Sequence, residues 1–136
     1  INVKTKSILD ISEGKKIDFI RMDVEGHEVK ILNSLVEYIK KTNYKPMVLF
    51  EPHLKRYNKN NDIVNALNNI FLLGYKTSII GSSSHHGSKI ISKLGYESKL
   101  KFNTDENVRK IFKNINNEHA IQIISELGGA RSVLLT

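Results

Sequence analysis

Apolar and polar positions along the first part of the chain predict two strands separated by a helix. Residues 17–24 are mostly apolar and rich in branched and aromatic side chains, which is typical of a strand buried in a sheet. Apolar residues at helical spacing follow over residues 26–41, and a second short apolar run occupies residues 47–50. This order predicts two parallel strands joined by a helix. We assign no element before the polar loop at residues 12–16.

The middle of the chain predicts another helix followed by another strand. Asp62 is a helix N-cap before an apolar stripe that ends at Gly74, and residues 75–80 predict a third strand. The Ser- and Gly-rich stretch at residues 81–88 predicts a flexible loop. Residues 89–102 fit a short helix and an edge strand equally well.

The last part of the chain predicts further helices and a closing strand. Thr104 or Asp105 would cap a helix whose apolar positions are Val108, Ile111, Phe112 and Ile115. Residues 119–127 favour a helix. Gly128 and Gly129 then force a turn before a strand at residues 131–136.

Composition indicates one globular domain spanning residues 1–136. The chain is 40% hydrophobic and 26% charged, and it is too short for two ordinary domains. It has no cysteine, which excludes disulfides and thiolate metal sites and favours a reducing compartment, so we expect a cytoplasmic protein. No apolar run approaches the roughly 20 residues that cross a bilayer, so we expect no membrane partner.

The net charge of +7 raises the question of a nucleic-acid partner. The lysines are scattered over many polar faces instead of forming one run, so we expect no dedicated nucleic-acid surface.

Acidic side chains gather where the first two strands end. Asp23 lies at the tip of the first strand, Glu25 and Glu28 come after it, and Glu51 and His53 follow the second strand. Adjacent strands lie about 5 Å apart, so Asp23 and Glu51 should share one crevice. Carboxylates beside an imidazole suit either Mg²⁺ or general-base chemistry on a hydroxyl.

Ordinary structural roles explain several of these residues equally well. Glu25 and Glu28 would complement the positive N-terminus of the following helix, and Gly26 would permit a tight turn. His27 and His53 also fit polar surface positions. The His85-His86 pair fits a solvated loop, because no cysteine or regular histidine spacing supports a metal site there.

Two motifs closely resemble the FkbM family of S-adenosylmethionine-dependent methyltransferases. The first is an apolar strand ending in Asp-x-Glu-Gly-x-Glu, which Asp23, Glu25, Gly26 and Glu28 match. The second is a proline and apolar residues ending in Glu, which residues 46–51 match. The likeness is specific over about residues 8–75.

The resemblance implies an α/β fold of the Rossmann-like, class I methyltransferase type. Its sheet would be mostly parallel, with helices on both faces. The hallmark strand is the fourth in that family, so the N-terminal strands and the Gly-rich cofactor loop are missing, and the chain matches the C-terminal part of the domain. The implied function is O-methylation of a hydroxyl on a sugar, polyketide or other small molecule, with inactivity of the chain on its own as one outcome.

The resemblance and the strand-end pattern together give the candidate site residues. We expect Asp23, Glu51 and His53 to be catalytic. Asp23, Glu25 and Gly26 would contact S-adenosylmethionine, and Asp23 and Glu51 would hold Mg²⁺ if a metal is used. The alternative is a non-catalytic remnant or interaction module, in which an exposed sheet edge would favour a homo-oligomer.

Overall fold

The computed structural model describes residues 4–136, apart from the side chain of Lys99, so the first three residues of the predicted domain lie outside it. The elements follow one another in this order: α1 (Ile8–Ser12), β1 (Phe19–Met22), α2 (Glu28–Thr42), β2 (Met47–Phe50), a 3₁₀ turn (Leu54–Arg56), α3 (Ile63–Leu72), β3 (Thr77–Ser82), α4 (His85–Lys93), β4 (Ser98–Thr104), β5 (Asn107–Ile115), α5 (Asn117–Gln122), a π-helical turn (Ile123–Leu127) and β6 (Ala130–Leu135). Within residues 4–136, no helix has the length and apolar character needed to cross a membrane.

The six strands form one mixed sheet in the order β1-β2-β6-β3-β5-β4. The β1–β2 pair is parallel, as predicted, but the other four pairs are antiparallel. The α/β class is therefore confirmed, and the expectation of a mostly parallel sheet is wrong. The physical reason is that β6 inserts between β2 and β3 in the opposite direction, and a hairpin of β4 and β5 extends the other edge.

One face of the sheet carries the hydrophobic core. Directly paired positions across five strands place a continuous apolar row on this face, made up of Met22, Phe50, Val133, Ile80 and Phe112. All five are buried and share a single cluster with the buried residues of the helices. Removing this apolar surface from water is the main stabilising contribution to the fold.

The opposite face of β1 and β2 is much less covered. Phe19 and Met47 pair across the two strands and remain 46% and 47% exposed. Side chains alternate between faces along a strand, so these residues point away from the core row. The expectation of helices on both faces is thus wrong for this part of the sheet.

Two helices differ from the sequence interpretation: α1, where no element was assigned before residue 12, and α4, whose first residues were predicted as a loop. Ser7 caps α1 in a capping box, in which its side chain accepts from the Asp10 N–H while the Asp10 carboxylate accepts from the Ser7 N–H. Ser84 caps α4 by accepting from the Gly87 N–H. The predicted loop at residues 81–88 instead ends β3 and begins this helix.

The helix expected after Thr104 is a strand. Asp105 and Glu106 form the two-residue turn between β4 and β5, with φ values of +49° and +61°. Positive φ at both central residues is the signature of a type I′ hairpin turn. The apolar spacing of β5 matches a helix, but pairing with β3 and β4 determines the structure. Residues 119–127 are helical, and the last strand follows Gly128 and Gly129, as predicted.

Replacing Glu106 by glycine tests the hairpin directly. Glycine adopts positive φ without a Cβ penalty, so we expect Glu106→Gly to raise the free energy of unfolding by about 0.5–1 kcal/mol in a urea titration. The control is Glu37→Gly on the exposed face of α2, which should lower it by about 1 kcal/mol. A loss of stability in both variants would contradict a left-handed conformation at residue 106.

Candidate functional site

The site begins where β1 and β2 end side by side. Met22 and Phe50 are paired at the last position of each strand, and the Glu51 N–H donates to the Met22 carbonyl at 3.2 Å. Asp23 and Glu51 therefore leave the sheet at the same edge, as the sequence indicated. Parallel pairing of these two strands places both residues at the same end of the sheet.

His53 brings three acidic side chains together. Its Nε2 atom lies 3.6 Å from an oxygen of Asp23 and 3.6 Å from an oxygen of Glu25. Its Nδ1 atom lies 2.7 Å from Glu28 Oε1. Asp23 and Glu25 are 49% and 72% exposed, whereas Glu28 is fully buried. The imidazole thus links a buried carboxylate to two that face solvent.

The sequence did not assign Glu28 a role in the site. Glu28 is the first residue of α2, and its carboxylate accepts from the Gly26 N–H at 3.2 Å and from the Tyr57 hydroxyl at 3.4 Å. The positive end of the helix stabilises a negative charge at this position. A carboxylate cannot donate, so Glu28 fixes the proton of His53 on Nδ1 and turns Nε2 towards Asp23 and Glu25.

Tyr57 supports the same arrangement from the other side. Its hydroxyl accepts from the backbone N–H of His53 at 3.0 Å while donating to Glu28. Burial raises the pKa of Tyr57 well above its usual value, so the phenol stays neutral and able to donate.

The turn between β1 and α2 depends on Gly26. Glu25 has φ +51° and Gly26 has φ +100°, so the chain passes through two left-handed residues. A Cβ at Gly26 would lie 2.5 Å from the Cβ of Arg56 in the 3₁₀ turn. The Asn61 amide donates to the carbonyls of Gly26 and Arg56, which ties the two segments together.

Glu51 has a different partner from the one expected. Its carboxylate lies 2.5 Å from Arg131 Nη1, at the start of β6. Burial raises the pKa of the Glu51 carboxyl; Arg131 opposes this rise, and the negative charge of Asp23 adds to it. No sequence signal connected Arg131 with Glu51, because the pairing depends on the insertion of β6 beside β2.

A cleft of about 540 Å³ lies next to this cluster. Glu25 and His53 form part of its wall, and the apolar part includes Leu54, Ile123 and Ile124. Concave sites with mixed apolar and polar walls are typical places for small molecules to bind.

Other candidate residues are separate from the cluster. His27 is exposed, with its ring Nδ1 3.3 Å from the Val24 carbonyl, and His85 and His86 are exposed at the start of α4. In the described part of the chain, Asp23, Glu25 and His53 form the group whose side-chain atoms could share one metal ion. The roles assigned to Asp23, Glu25, Gly26, Glu51 and His53 stay predictions.

Comparison with protein families matches residues 1–77 to the model described as the methyltransferase FkbM domain. The matched part is more than half of the 136 residues and runs from the N-terminus to the first residue of β3. It includes His53 and the three acidic residues around it, Asp23, Glu25 and Glu28. Searches of curated proteins and of solved structures found no match.

The Gly26 turn gives a test of the site geometry. Gly26→Ala combines an unfavourable positive φ with a clash against Arg56, so we expect it to lower the free energy of unfolding by about 2–4 kcal/mol. Gly14→Ala is the matched control, because Gly14 has φ +79° but nothing within 4 Å of the added Cβ. Equal losses in urea titrations of the two variants would contradict close packing of Arg56 on the turn.

Proposed function

Because the chain belongs to the methyltransferase FkbM domain family, we propose that it transfers a methyl group from S-adenosylmethionine to a hydroxyl of a small molecule such as a sugar or a polyketide. The observation that carries this proposal is the contact of Asp23 with His53 at the end of two parallel strands, where Glu51 follows the second strand. Ligands of α/β sheets bind beyond the carboxyl ends of such strands.

The side chains at this edge suit the charge of the cofactor. S-adenosylmethionine, when bound, supplies a methyl group on a positively charged sulfur. Asp23 and Glu25 offer exposed carboxylates that would attract this charge, and Glu25 borders the cleft. Gly26 packs against Arg56, and its contribution to cofactor binding would be the shape of the turn that carries Glu25.

The residues of this chain would act mainly on the acceptor. Methyl transfer is an in-line displacement, so the protein orients the two reactants and removes the proton of the attacking hydroxyl. Asp23 is the first choice for the proton acceptor, because its carboxylate is half exposed. His53 would orient the acceptor beside it. Glu51 assists through its negative charge, while Arg131 holds it in place.

The Asp23→Ala variant tests this proposal. We expect transfer of a tritiated methyl group from S-adenosylmethionine to a panel of sugar and polyketide hydroxyls to fall at least about 100-fold, the usual contribution of general-base catalysis. Far-UV circular dichroism and urea stability should remain near wild type, because Asp23 is outside the core. Glu37→Ala on the exposed face of α2 is the control and should keep full activity.

Two outcomes of this experiment would count against the proposal. Turnover at the wild-type rate in Asp23→Ala would exclude the role of Asp23. A folded wild-type protein that transfers no methyl group would favour the second candidate, a non-catalytic interaction module. The exposed Phe19 and Met47 on β1 and β2 are the observation that favours this alternative.

A further inference from the structure

The group of Asp23, Glu25 and His53 differs from an ordinary acidic surface patch because an oriented imidazole lies between the carboxylates. One atom from each side chain can be chosen so that all three lie within 4.8 Å of one another. Two carboxylate oxygens and one imidazole nitrogen at this spacing could surround a single ion.

His53 is held in the manner of a metal ligand. Glu28 is fully buried and accepts from Nδ1 at 2.7 Å, so the other ring nitrogen, Nε2, is directed at Asp23 and Glu25. In metal sites, the ring nitrogen that does not bind the ion commonly donates to a carboxylate, which fixes the tautomer and makes the ligand more basic. Glu28 has the position of this outer carboxylate.

The charge around His53 is also unbalanced. Asp23, Glu25 and Glu28 contribute three carboxylates, and the largely exposed Arg56 lies 3.9 Å from Glu25 Oε2. Glu51 is already paired with Arg131. The three carboxylates and Arg56 together carry about two negative charges, which a divalent cation bound to the neutral imidazole would balance.

We propose that Asp23, Glu25 and His53 bind a divalent transition-metal ion, with Glu28 as the residue that positions His53. The imidazole selects this class over Mg²⁺, which prefers oxygen ligands. This ligand set differs from the Asp23 and Glu51 pair expected for Mg²⁺, because Glu51 is bound to Arg131.

A bound ion would also act on the acceptor hydroxyl. This step of the inference rests on the proposed methyl transfer. Three protein ligands leave coordination positions open for an acceptor hydroxyl. Binding to a cation makes a hydroxyl more acidic. The second carboxylate oxygen of Asp23 would remain available to take the proton, because each side chain provides one ligand atom.

Binding of Mn²⁺ to the protein without cofactor or acceptor tests the site separately from any methyl transfer. Free Mn²⁺ is counted by electron paramagnetic resonance during titration of the wild-type protein. We expect one site per chain, with Mg²⁺ competing at least about tenfold more weakly. Asp23→Asn and His53→Gln should each weaken binding at least about tenfold, and Glu28→Gln by about 10–100-fold.

The controls are Glu37→Gln on α2 and His86→Gln on α4, which remove the same functional groups from exposed positions elsewhere and should leave binding unchanged. Asp23→Asn keeps the inference testable if Glu28→Gln fails to fold. A wild-type dissociation constant above about 1 mM, the weak limit of biological divalent sites, would overturn the site and leave the proposed methyl transfer standing. Equal affinity for Mg²⁺ and Mn²⁺ would overturn the metal class.

Discussion

The hydrogen bond between the buried Glu28 carboxylate and His53 is the interaction on which the candidate site depends. A carboxylate that is fully removed from water is costly unless its charge is compensated and its oxygens are hydrogen-bonded. The Gly26 N–H, the Tyr57 hydroxyl, the His53 ring and the N-terminus of α2 provide this compensation together. The turn after β1 and the segment after β2 therefore share one buried carboxylate and form one unit.

Asp23 and Glu51, the two acids at the strand ends, have different surroundings in the structure. Asp23 is half exposed and faces the imidazole, whereas Glu51 is largely buried against Arg131, and burial raises the pKa of its carboxyl. Only Asp23 is therefore free to contact a ligand without breaking an ion pair. The sequence suggested similar roles for Asp23 and Glu51. They differ in the structure because β6 brings Arg131 to this edge of the sheet.

Local sequence patterns predicted the unit of β1, α2 and β2. The strands at 17–24 and 47–50 and the acids beyond them could be placed because a parallel β-α-β unit aligns its strand ends. The β4–β5 hairpin could not, since its apolar spacing also suits a helix and only pairing with β3 decides between them. The burial of Glu28 could not be predicted either, because its partner His53 lies 25 positions away in the sequence.

The position of the proton on the His53 ring is the sharpest test of the hydrogen bond between His53 and Glu28. Long-range ¹H–¹⁵N correlation spectroscopy of the folded protein reports which ring nitrogen carries the proton. With Glu28 accepting at 2.7 Å, Nδ1 should carry the proton of a neutral His53 in the folded protein, with a strongly downfield proton signal. A neutral His53 with its proton on Nε2 would contradict the account, because Nε2 could not then accept from or bind a ligand between Asp23 and Glu25.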